Sequence, residues 1–353
     1  MTIENPLTAA HLPRYTPWAT LLLALLVSGV GFGILAASAG ATFNIAGAVV
    51  VGLIVYLLVI WLISRRVEGS RRAIDRVMTA LVATAFIIAL LPLISVAFTT
   101  IVNGLPRFDL KFFSSSMRNV VGAGGGAIHA IDGTLLITLA ATIISVPIGL
   151  LTAIYLVEYG KGPLKRGITF LVDVMTGIPS IVAGLFAFAL FSLITGNAGI
   201  RFGIGAAVAL SVLMIPVVVR SSEEMLKLVP NELREASYAL GVPKWLTIVK
   251  VVLPTSVAGI VTGVMLAIAR VIGETAPLLI IAGFTTSVNT NLFQDRMMTL
   301  PVFVFDQYMN QGRDVQAYID RAWAGALTLI LIVALLNIVA RVIAKYFSPK
   351  TGR

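Results

Sequence analysis

Eight apolar runs, most of them 22 or 23 residues long, constrain this chain more than any other feature. At about 1.5 Å of rise per residue, a helical run of this length crosses the roughly 30 Å of hydrocarbon in a bilayer. The runs occupy residues 18–39, 43–64, 77–98, 135–157, 168–195, 203–219, 255–282 and 323–344. Lipid offers no partner to a free backbone amide, so such runs read as helices and the chain as an all-α, polytopic membrane protein. They continue to the C-terminus with no small-residue cleavage site closing a single short apolar region, so a targeting signal does not account for them. The runs at 168–195 and 255–282 exceed the rest, which predicts tilt, bending or a helix end emerging into water. Gly177 and Pro179 mark the bend in the first of these.

Charge sets the orientation. The net charge is +10, and with both termini cytoplasmic, 18 of the 26 Lys and Arg residues fall on the inner side and seven on the outer, leaving Arg270 within a span. The densest cluster, SRRVEGSRRAIDR, lies between the second and third runs. Trp18 and Trp61 near inner boundaries and Trp323 near an outer one fit interfacial anchoring to membrane lipid. The basic residues are not interleaved with aromatics as a nucleic-acid surface requires, so no nucleic-acid partner is expected.

Several chemistries are excluded. The absence of cysteine removes disulfides, thiolate metal sites and cysteine nucleophiles, and His11 and His129 are the only imidazoles. No GxxxxGK followed by Ser or Thr occurs, so the chain is not expected to hydrolyse ATP or to bind a cofactor. The two long outer segments are read as loops. Residues 99–134 contain the glycine-rich VGAGGGAIHAIDG, and 283–322 form a solvated stretch with a short helix near Val315–Arg321, where Asp306, Asp314 and Asp320 are ordinary surface carboxylates.

A charged linker at 65–76 divides a candidate N-terminal hairpin, residues 1–70, from a domain at 71–353 whose spans run from 77 to 344. Gly31, Gly33 and the small residues at 36–41 read equally as a seam that lets the hairpin helices approach and as part of ordinary lipid-exposed, glycine-rich helices. The largest cytoplasmic segment, 220–254, is too polar to span. Pro230 and Asn231 start a helix there, Gly241 ends it, and Pro243 opens a second. Leu233, Ala236, Ala239 and Leu240 give that helix a small apolar face with Glu232, Arg234 and Glu235 at its edges. Such a face suits docking into a partner's groove or packing on its own bundle.

Arg270 and Glu274 stand at i and i+4 in the run LAIARVIGETAPLLI, with Arg270 near the middle of 255–282. An arginine at a helix centre costs about 2.5–3.5 kcal/mol even on the lenient insertion scale, which a pair at this spacing does not offset in lipid. Lining a polar cavity is the cheaper solution. There the planar guanidinium suits an oxyanion, and Glu274 holds it when none is bound. A permanent ion pair that only fixes packing is the competing reading. Thr134 and Thr138, one turn apart, and Ser180 after Pro179 carry hydroxyls for such a path, although hydroxyls also satisfy nearby carbonyls. Asp173, near the inner boundary, is expected to contact local backbone. An intramembrane Arg and Glu would also serve a secondary ion-coupled transporter, and a membrane scaffold without transport is a further alternative.

Four stretches carry a family resemblance. EASYALGVPKWLTIVKVVLP, Glu235 to Pro254, resembles the EAA motif of bacterial ABC importer permeases, with Ser237 where a second alanine is usual. DGTLLITLAATIISVPIGLLTAIYLVEYG at 132–160, GIPSIVAGLF at 177–186 and ARVIGETAPLL at 269–279 are similar to signatures of phosphate-specific permeases of the PstA type. The resemblance covers the spans from 77 to 344 and says little of residues 1–70. It implies a type I ABC importer permease core of six transmembrane helices, to which the hairpin adds two, in a bacterial plasma membrane. It makes Glu235, Ala236, Ser237, Leu240 and Gly241 the coupling segment to an ATPase. It further implies a PstC-type permease as companion, two PstB-type ATPase subunits holding ATP and magnesium, and an extracytoplasmic PstS-type binding protein. Phosphate itself rests on the resemblance, since the residues alone do not separate it from sulfate or molybdate.

Overall fold

The computed structural model describes residues 11–40 and 42–347, and within them all regular structure is helical. Seven continuous helices are long and apolar enough to cross a membrane, and a bent pair at 162–195 makes an eighth if counted as one span. The chain divides into two compact units, Met1–Ala97 and Phe98–Arg353.

In the first unit α1 (Thr16–Ala39) and α2 (Ile45–Val67) lie antiparallel. The close approach is made at Gly47 and Gly52, where a Cβ would meet Phe32 and Leu25, while Gly31 and Gly33 face open space. Ser28 Oγ donates to the Ala48 carbonyl at 2.6 Å across the same seam. Of the two readings of Gly31 and Gly33, open space around them agrees with exposed, glycine-rich helix, and the small-residue contact lies on α2 instead. Of the stretch 36–41, Ala41 lies outside the described residues.

Residues 65–76 do not form a linker. Helix α2 runs on to Val67 and α3 (Ser70–Gly104) begins after Gly69, whose φ of +89° turns the chain. Glu68 fixes this corner: it accepts Arg76 Nε at 2.6 Å and Nη2 at 2.7 Å, the Ser64 hydroxyl at 2.9 Å and the Leu12 amide at 2.9 Å. The Arg76 bonds hold its carboxyl down to about 2 against the opposing effect of burial, with the Leu12 amide and Ser64 hydroxyl assisting. The charge that reads as a linker in sequence is spent on a joint. The division between the two units falls later, inside α3.

The second unit is built on α8 (Gly203–Lys227), whose Ala206, Ala207, Leu210, Met214 and Val218 are wholly or almost wholly buried. Helix α5 (Ile128–Ile154), extended by a π turn at Tyr155–Tyr159, packs along it. Gly149 makes this possible, because a Cβ there would meet Val218 at 2.7 Å. Small residues let helices approach where lipid supplies no hydrophobic drive between them. Before α5 come a 3-10 turn at Leu105–Arg107 and the short α4 (Leu110–Ser114).

Two long runs are broken. The fifth consists of α6 (Gly162–Thr176) and α7 (Ser180–Thr195), bent by 109° at Gly177–Pro179. The seventh begins at α10 (Lys244–Thr247) and passes through a π turn at Ile248–Val252 into α11 (Leu253–Val271). The π turn sits beside Pro254, which has no amide to give an α-helical ladder. That helix stops before Gly273, and α12 (Ala276–Ile281) follows.

The segment 283–322 is not a solvated loop. Met297, Met298, Leu300, Val302 and Phe303 are buried, α13 (Leu300–Met309) packs on α14 (Val315–Phe347), and the expected short helix at 315–321 is the first part of α14. Arg321 is fully buried, giving Nε to Gln307 at 2.7 Å and Nη1 to the carbonyls of Gly122 and Gly124 at 2.7 and 3.1 Å. Arg107 binds the Gly125 carbonyl at 2.5 Å. The glycine-rich stretch is thus held by two arginines, and His129 belongs to the first turn of α5, buried edge-on to Phe303.

Candidate functional site

The polar segment after α8 folds as a corner. Eight of its expected residues, Arg220–Lys227, continue α8, and the corner proper is α9 (Asn231–Ala239) after Pro230. Gly241, at φ +74°, receives the end of α9 through its amide bond to Tyr238, and Pro243 starts α10. Leu233, Glu235, Ala236, Ala239 and Leu240 all face outward, with Leu240 84% exposed. Ser237 faces inward, its hydroxyl 2.8 Å from that of Thr247, and so joins α9 to α10.

Arg234, placed by sequence at the docking edge, is turned into the protein. Its Nη2 and Nε reach one Glu158 oxygen at 2.9 and 3.1 Å, and the same fork donates to the carbonyls of Leu226 and Val229. Lys244 donates to the Glu158 carbonyl and lies over the Tyr159 ring. The YLVEY end of α5, the end of α8, α9 and α10 therefore meet at one ion pair whose side chains are only 6% and 12% exposed. Sequence reasoning missed this hub. Glu158 and Arg234 are 76 residues apart, and no local period links them. The one available signal was a glutamate, Glu158, at the polar end of an apolar run.

The two helix breaks form the second part of the site. A Cβ on Gly184 of α7 would lie 2.6 Å from Pro277 Cα of α12, so the segments after GIPS and after GET cross with backbones nearly touching. Arg270 occupies the last turn of α11 and is exposed in the single chain, while Glu274 lies beyond the helix end, half-buried, its amide bonded to Val271 at 3.1 Å. The expected same-face pair near a helix centre is corrected. The helix starts at Lys244 rather than 255 and ends at Val271, and no Arg270–Glu274 ion pair forms among the described residues.

Ser180 is half-buried at the first residue of α7. Thr134 is buried on α5, donating to Ala130 at 2.7 Å and accepting the Leu300 amide at 2.7 Å, so it seats the start of α13. Beside it, a Cβ on Gly133 would collide with the Met298 carbonyl. Thr138 is buried one turn further along. Asp173 contacts a side chain rather than backbone, pairing with Arg220, which also binds Glu223 at 2.8 Å and so ties α6 to α8. Among the described residues no group of three or more His, Cys, Asp or Glu is placed to hold a metal.

Residues 145–353 match the family described as binding-protein-dependent transport system inner membrane component. The phosphate transport system permease protein PstA 1 of Mycobacterium tuberculosis (strain H37Rv) is 46% identical over 77% of this chain and 88% of its own length. PstA of Yersinia pestis is 40% identical over 79% of this chain and 92% of its own. A chain of a bacterial alginate ABC transporter shares the fold with a TM-score of 0.56 at 14% identity, covering 83% of this chain and 99% of that one. The helical core, the two broken segments and the clamped α9 corner thus stand in a chain that belongs to the PstA family of phosphate transport system permeases.

Proposed function

We propose that this chain forms half of the phosphate path in an ATP-driven importer and receives its drive through α9. The observation that carries the reading is the clamped corner: an exposed small-residue face on α9 is fixed through Arg234 to both α5 and α8. A force applied to that face reaches the core without first deforming a loop. The companion is a PstC-type permease, and the face docks into one of two PstB-type ATPase subunits, where ATP and magnesium are bound. A PstS-type protein delivers phosphate on the extracytoplasmic side. The chain sits in the bacterial plasma membrane with both termini cytoplasmic, in keeping with its Lys and Arg distribution.

Arg270 and Glu274 line the path at the break between α11 and α12, and Ser180 adds a hydroxyl at the opposing break. Exposure of Arg270 in the single chain supports this placement, since a guanidinium facing lipid is costly and one facing a shared polar path is not. Thr134 and Thr138 support the path from behind rather than facing it. The residues before and after Ala97 correspond to a hairpin-bearing unit and to the transport unit. The reading is tested by uptake of labelled phosphate into vesicles containing all four component types, compared with sulfate and molybdate. Uptake that needs ATP and vanishes when 231–241 is altered supports it. Uptake driven by an ion gradient without the ATPase favours a secondary transporter, and absence of both uptake and ATPase association favours a scaffold.

A further inference from the structure

At the end of α8 opposite the α9 corner, about 37 Å away along 25 residues, two arginines converge. The stems of Arg201 and Arg296 both lie within 3.3 Å of the point a Cβ on Gly283 would occupy. Gly283, at φ +74°, closes the segment that begins with GETAP. Both guanidiniums are exposed, and neither makes an ion pair or hydrogen bond among the described residues. They line a cavity of about 440 Å³ together with Asn197, Phe293, Gln294 and Asp295.

The walls are held by backbone. The Phe202 amide bonds Ile281, the Ile204 amide bonds Leu292 and the Met297 amide bonds Ala282, at 2.7 to 3.1 Å. Asn289 gathers the carbonyls of Gln294 and Arg296 at 2.8 and 3.1 Å. Asp295 sits between them at φ +57°, a left-handed conformation that aspartate adopts more readily than most side chains. Two guanidinium forks and one carboxylate thus line a single cavity without pairing with one another among the described residues. Forks of this kind bind tetrahedral oxyanions with paired hydrogen bonds.

We propose that this cavity is an outer anion site that takes phosphate before it enters the path, an inference that rests on the phosphate-permease reading. Arg201 and Arg296 hold the oxygens. Asp295, acceptor-only when ionised, takes a hydrogen bond from a protonated phosphate oxygen, which sulfate lacks at neutral pH. Entry there needs no bond to form or break, only exchange of water for donors already in place.

Because the chain has no cysteine, Gln294→Cys supplies a single reporter on it within the assembled complex. Its labelling rate by an uncharged maleimide is measured with inorganic phosphate or sulfate at millimolar concentration. Phosphate should slow labelling several-fold and sulfate should not. Arg201→Gln and Arg296→Gln should each abolish the protection, and Asp295→Asn should let sulfate protect as well. Gly283→Ala, which presses on both arginine stems, should weaken it. No protection by phosphate in a complex that still imports phosphate overturns the site while leaving the permease reading intact. Equal protection by sulfate in the unaltered cavity also overturns it. Loss of binding-protein association in the arginine variants, without phosphate protection in the parent, would instead mark a contact for an acidic protein surface. Protection in a complex that imports no phosphate would keep the site and sink the permease reading.

Discussion

Arg270 takes its meaning from where α11 stops. One residue before the helix end, beside the unwound Ile272–Thr275, its side chain is exposed on the single chain rather than buried in its own bundle. Arg270→Lys keeps the charge and loses the planar fork, so uptake should fall about tenfold, the equivalent of one charge-assisted hydrogen bond, with assembly unchanged. Arg270→Gln should fall further. Normal uptake by Arg270→Gln would reassign the residue to packing. Glu158 and Arg234 act by holding. Breaking a buried pair from one side leaves an uncompensated charge worth about 3 kcal/mol, so Glu158→Gln or Arg234→Leu should raise ATP hydrolysed per phosphate imported, measured in the same vesicles. Exchanging the two residues should restore part of the coupling, whereas a purely local fold defect would not be rescued. Glu68 gives a pH signature. Its carboxyl is held at about 2 rather than the ordinary 4.5, so its contribution is complete above about pH 4.5 and is lost as pH falls through 2. The melting-temperature gap between parent and Glu68→Gln should therefore be widest near neutral pH and narrow on acidification.

At the scale of the helix, two glycines test two different demands. Gly241 faces open space but holds φ +74°, so Gly241→Val meets no clash and only backbone strain of about 1–2 kcal/mol. Coupling should weaken while insertion stays normal. Gly184→Leu, by contrast, drives a side chain into the Pro277 backbone and should cost about 1–3 kcal/mol of stability, read as a lower melting temperature of the assembled complex. The local elements were legible for local reasons. Pro230, Gly241 and Pro243 bound α9 within a residue of where sequence put it, and Gly177 with Pro179 marked the bend after α6. The long helices were misjudged where polarity was mistaken for an ending: α8 continues through Arg220–Lys227 because Glu223 is paired at i−3 and i+4. Arg270 was misplaced for the same reason, since the helix that carries it begins in the polar stretch at Lys244. What sequence could not show are the joins between distant segments, such as Arg321 on the glycine-rich stretch or Thr134 under Leu300, because nothing in a linear pattern states which carbonyl a side chain will find.

For the molecule as a whole, what distinguishes the second unit is that Arg234 joins α9 to the ends of α5 and α8, while the other end of α8 starts beside the cavity lined by Arg201. Helices α1 and α2 form a hairpin within the first unit, so removal of residues 1–64, with a correctly oriented start supplied, should leave ATPase association intact. Loss of association despite correct topology by accessibility labelling would contradict that division. If this chain forms half of a phosphate path driven through α9, uptake of labelled phosphate should separate vesicles containing the parent complex from those bearing Glu235→Lys on the exposed α9 face. The parent should take up phosphate in an ATP-dependent way, and the variant should insert normally but lose uptake together with transport-coupled hydrolysis. Undiminished uptake and hydrolysis in the variant would mean that α9 does not drive the path.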